Sequence, residues 1–142
     1  MNPEVVLSGA GRFPRLPAEG LAPWMEKLVA DLAPECDSVA IRFAGDRAMR
    51  RLNRDFRGKD RTTDVLSFPG EESPEGRHLG DIVISIPTAE RQAAERGATL
   101  LDEVKLLLLH GVLHCLGHDH ETDRGEMEKL EARLRRRWLK RA

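Results

Sequence analysis

The chain has no tyrosine, two tryptophans and four phenylalanines. That leaves little material for the aromatic surfaces on which single-stranded bases stack, and no such platform is evident from the sequence. Cysteine is as scarce. Cys36 and Cys115 are the only two, too few for a disulfide scaffold. No apolar run approaches the roughly 20 residues that a membrane-spanning helix needs; the longest leucine run is Leu106 to Leu109. The amino terminus, M-N-P-E-V-V-L, has neither a basic start nor an apolar signal core, so the cytoplasm is the expected compartment and no membrane partner is expected. No internal repeat and no low-complexity segment is present. Net charge is near zero, at −1, so bulk charge selects no partner.

What is present is an ordinary globular balance: 40% apolar and 33% charged residues over 142 positions. This predicts one domain, spanning 1–142, with enough chain for a true core. Charge is uneven along it. Arg42, Arg47, Arg50, Arg51, Arg54, Arg57, Lys59 and Arg61 face only Asp46, Asp55 and Asp60 in the same stretch, and a second group holds Arg133, Arg135, Arg136, Arg137, Lys140 and Arg141. Local excess of this kind attracts a polyanion such as RNA. It is equally the pattern of two solvated helix faces.

Periodicity predicts strands at Val5–Leu7, Val39–Ala44, Asp64–Phe68 (stopped by Pro69) and Leu79–Ile86. Helices are predicted from Leu21 to Leu32, after a cap at Asp46, over Pro87–Arg96, over Leu100–Leu116 behind a Thr99–Asp102 capping box, and over Thr122–Arg141. The second of these should bury Ala48, Met49, Leu52 and Phe56. Gly9–Gly20 and Arg57–Thr63 read as loops, and the acidic stretch Gly70–Arg77 as a mobile one. The helix Leu100–Leu116 is apolar on nearly every side and so should be buried. The class is α+β: a single domain with a mixed sheet of roughly four strands packed against that buried helix.

The buried helix carries the chemistry. In H-G-V-L-H-C-L-G-H-D-H, His110 and His114 are four apart, on one helical face. Gly117 suits the left-handed stop of a helix, after which the chain can bring back His120. Three neutral nitrogen donors with one position left to water describe a catalytic zinc site, with one ion per chain. His118 is again four from His114, but it lies past the Gly117 stop and is only the alternative candidate for a ligand. Cys115 points elsewhere and reads as a small buried hydrophobe. Asp119 and Glu121 are candidate supporting acceptors or a base, and Asp119 is also a turn residue. The spacing matches the metzincin proteases, H-E-x-x-H-x-x-G-x-x-H. Those enzymes need a glutamate after the first histidine as base, and here that position is Gly111.

The string also resembles the signature of the YbeY family, bacterial endoribonucleases linked to rRNA maturation. Two further stretches carry the resemblance: L-N-R-D-F-R-G-K-D-R-T-T-D-V-L-S-F-P (Leu52–Pro69) and L-G-D-I-V-I-S (Leu79–Ser85). His118 replaces an aromatic that is usual there, and Phe56 stands where tyrosine is frequent. The resemblance implies a zincin-like fold and a metal on His110, His114 and His120. It also implies a single-strand endoribonuclease of the small-subunit rRNA 3′ end, with ribosomal proteins or the small subunit as partners. Arg57 falls where the family has a functionally important arginine; on its own it reads as a loop residue paired to Asp55 or Asp60. Arg57 would donate to a phosphate, with Lys59 and Arg61 following the RNA backbone and Ser67 and Asp81 in the wall of the site. The rival readings are a zincin-like metalloprotease and a non-catalytic ribosome-assembly factor whose metal is structural.

Overall fold

In the computed structural model, which describes residues 2–117 and 125–139, the apolar periodicities become β1 (Glu4–Ser8), α1 (Leu21–Leu32), β2 (Ser38–Ala44), α2 (Asp46–Arg57), β3 (Val65–Pro69), β4 (Glu72–Ser73), β5 (Gly76–Ser85), α3 (Ile86–Arg96), α4 (Leu100–Cys115) and α5 (Glu126–Trp138). The class is α+β, as expected. The sheet runs β1-β2-β5-β3, with β4 paired to β5. β1 and β2 are parallel, as are β2 and β5, while β3 lies antiparallel to β5 at the edge. The central strand β5 is apolar on both faces because both are covered. Ile82 and Ile84 join Val39, Ile41 and Phe43 in the cluster shared with α1, α3 and α4. Val83 faces the other way and packs with Ala44, Met49 and Leu66 under α2.

Four local expectations change. The acidic stretch 70–77 is not a free loop. β4 pairs Glu72 with Arg77 and Ser73 with Gly76. Asp37 holds the hairpin by accepting from the Arg77 amide at 2.9 Å. A Cβ on Gly76 would stand 2.1 Å from the Asp37 carboxylate, so only glycine permits that contact.

Asp46 does not cap α2; Gly45 takes the cap position without a side-chain bond. The Asp46 carboxylate turns instead to the sheet end and α3. It accepts from Ser85 Oγ and Thr88 Oγ1, both at 2.6 Å, and from Arg91 at 2.9 Å. Burial pushes this carboxyl up, but the bonds from Ser85, Thr88 and Arg91 outweigh it and hold it below the ordinary carboxylate range.

Arg57 is the last residue of α2, not part of a loop. Gly58, at φ 69°, supplies the left-handed stop, with its amide on the Arg54 carbonyl. Phe56 is not buried: it is 67% exposed.

The helix α4 is pressed close to the sheet. A Cβ on Gly111 would lie 2.8 Å from Ile82. One on Gly80, in β5, would lie 2.5 Å from the Phe68 carbonyl and 2.6 Å from Cys115 Sγ. Both glycines let α4 settle against β5 and β3, which fixes how far the carboxyl end of α4 stands from the β3 edge. Thr99 Oγ1 accepts from the Asp102 amide at 3.1 Å to start this helix, as its sequence suggests. Gly117, at φ 92°, ends it. Among the described residues no helix is long and apolar enough to cross a membrane.

Candidate active site

The carboxyl ends of α2 and α4 flank β3. Between them lies a cleft of about 450 Å³ lined by Phe56 and Arg57 of α2, Val65 to Phe68 of β3, and His114 of α4. Residues from three separate stretches, 57, 67 and 114, thus line one cleft. His114 is exposed within it, one turn beyond the half-buried His110. The His110 ring is in contact through Nε2 with a carboxylate oxygen of Glu131, on α5. A carboxylate on an imidazole nitrogen fixes the orientation of the ring.

Arg57 sits at the negative end of the α2 dipole. Its expected partners are taken: Asp55 pairs with Arg54 at 3.3 Å and Asp60 with Arg50 at 2.8 Å. Among the described residues Arg57 forms no ion pair, and it lines the cleft. Lys59 and Arg61 do not line the cleft. Their loop folds back on α2, with the Asn53 side chain donating to the Arg61 carbonyl at 2.8 Å. Arg61 opens into a different recess, with Arg47, Arg50 and Asp60. Ser67 is in the cleft wall. Asp81 instead contacts the ring of His78 at 3.0 Å, whose other nitrogen meets Ser38. Another recess, lined by Arg96, Glu103, Arg135 and Arg136, lies at the opposite end of α4 from the histidines.

Cys115 does not join the site. Burial, then the charge of Asp81, push its thiol up to about 12, so it stays protonated and a poor ligand. His120, His118, Asp119 and Glu121 lie outside the described residues. Among those described, no three His, Cys, Asp or Glu side chains converge. The described donors fit zinc in this way: His114 is open to the cleft, and His110, whose Nε2 meets Glu131, would offer a metal its Nδ1.

Two residues escape the sequence pattern. Phe56 follows Met49 and Leu52 at helical spacing and so reads as core, yet it overhangs at the end of α2. Its ring meets Phe68 edge to face, 5.2 Å between centroids and 70° between planes. An exposed Phe forgoes about 1.5–3 kcal/mol of burial. Glu131 reads as one charge among many; its signal is its place beside Leu130 on the inward side of α5.

The position after His110 also settles where a protease base could not stand. The Gly111 Cβ direction points into Ile82, beneath the sheet. Gly111→Glu, which would complete the protease motif, is expected to bury an unpaired carboxylate and to cost at least about 3 kcal/mol of stability. Denaturant unfolding measures this; an unchanged midpoint would contradict the packing of α4 on β5.

The family model described as Endoribonuclease YbeY matches residues 16–139. A protein of that name from Solibacter usitatus is 53% identical over 122 residues, 85% of this chain and 78% of the relative. Another, from Helicobacter pylori, is 46% identical over 110 residues, 78% of this chain and 77% of the relative. A solution structure of a Thermotoga maritima protein superposes with a TM-score of 0.63 at 28% identity, covering 94% of this chain and 86% of that one. The matched stretch includes every residue that lines the cleft, and on sequence and fold together the chain belongs to the YbeY family.

Proposed function

We propose that this chain is a zinc-dependent endoribonuclease that cuts single-stranded RNA in rRNA maturation, at the 3′ end of the small-subunit rRNA. The observation that carries the reading is the single cleft that joins Arg57 to His114. The names of the relatives support endoribonuclease chemistry; the rRNA substrate, ribosomal partners and a cytoplasmic setting follow from the family resemblance.

The residues divide the work. His110, His114 and His120 would hold the metal, and Glu131 keeps the His110 ring turned. Zinc on neutral imidazoles supplies uncompensated positive charge for a phosphate oxygen and acidifies water. Arg57 donates paired N–H groups to the phosphate from the opposite side of the cleft, where charge accumulates in the transition state. The β3 edge, Val65 to Phe68, forms the floor on which the strand lies. Position 111 leaves no room for a peptidase base, which disfavours proteolysis.

Elemental analysis of the native chain, paired with cleavage of single-stranded RNA with and without chelator, tests the proposal. The expected result is about one zinc per chain, and cleavage that is lost on chelation and regained on adding zinc. Undiminished cleavage by metal-free protein would refute the metal's role. A zinc-loaded chain that binds ribosomal particles and never cuts RNA would favour the assembly-factor reading.

A further inference from the structure

We propose that Phe56 is a stacking platform for one unpaired base of the RNA substrate, next to the phosphate that Arg57 holds. The inference rests on the endoribonuclease reading and adds a binding residue to it. Phe56 is the most exposed large apolar side chain among the described residues, at 67%, and it stands in the same cleft as Arg57 and His114. Among the described residues its aromatic neighbour is Phe68, which meets it edge to face. Such a contact covers at most one face of a ring, so a face of Phe56 stays open, and Phe68 limits how the ring can tilt. Every nucleobase offers a π-face, so a single planar platform beside a cation suits an unpaired base and its phosphate without demanding a sequence. A base within a duplex has both faces stacked already and gains nothing there. Phe56 therefore favours single-stranded RNA.

The test uses the zinc-loaded full chain and a single-stranded RNA oligonucleotide, its binding read by rapid mixing before turnover and its cleavage read at steady state. Phe56→Leu keeps an apolar side chain and removes the ring. It is expected to weaken binding and raise KM by roughly five- to hundredfold, with kcat changed much less and the melting temperature unchanged. Phe56→Trp is expected to bind within about twofold of the parent, its new indole fluorescence quenched by the oligonucleotide. An abasic nucleotide, moved along the strand, should weaken parent binding most at one position and cost Phe56→Leu nothing further there. If the parent cuts RNA while Phe56→Leu binds and cuts as well as it does, the stacking role is wrong and the endoribonuclease reading stands. If the parent neither binds nor cuts single-stranded RNA, the underlying reading fails and the platform with it.

Discussion

His114→Ala is expected to abolish RNA cleavage. The residue lies in the cleft, and its position on α4 puts it one turn from His110. Replacing a group that merely supports a metal ligand costs about 10–100-fold in affinity or activity; removing one of the three proposed ligands should exceed that. Zinc content should fall with activity, because two imidazoles hold the ion poorly. The fold should survive. His114 is exposed, and the core contacts of α4 come from Val104, Leu107 to Leu109, Val112 and Leu113. Circular dichroism and zinc analysis check both halves. A variant that loses activity but keeps a full complement of zinc would move His114 from ligand to another role.

Arg57→Ala should separate metal from catalysis. Loss of a donor to a charged transition state costs about 10²–10³ in kcat, and the same range is expected here with zinc content unchanged. Arg57→Lys should recover only part of the rate, because an ammonium cannot make the paired contact of a guanidinium. The selective effect follows from the ion pairs of its neighbours. Arg50 and Arg54 are engaged by Asp60 and Asp55, so neither is poised to replace Arg57. Full activity in Arg57→Ala at equal zinc content would discard its role.

Much of this was legible from residue order because local signals and packing agree. α1 keeps the bounds its apolar spacing predicts, the Thr99 cap and Gly117 stop bracket α4, and β5 is the apolar strand at the centre of the sheet. The family resemblance, carried by three stretches, is borne out. Two of the misreadings depend on distant residues. The 70–77 hairpin is held by Asp37, and Asp46 prefers Ser85, Thr88 and Arg91 to its own helix end. Phe56 has core spacing but lies where α2 runs past its cover. Gly111 has the opposite character. Its absence of a side chain looks like a missing base in sequence, and in space it is the clearance for Ile82.

The most direct measurement is anomalous diffraction at the zinc edge from crystals of the fully loaded chain. The account predicts one peak per chain, shared by the imidazoles of His110, His114 and His120, at the wall of the cleft that Arg57 faces. Three rings directed apart, with no anomalous scatterer among them, would contradict it.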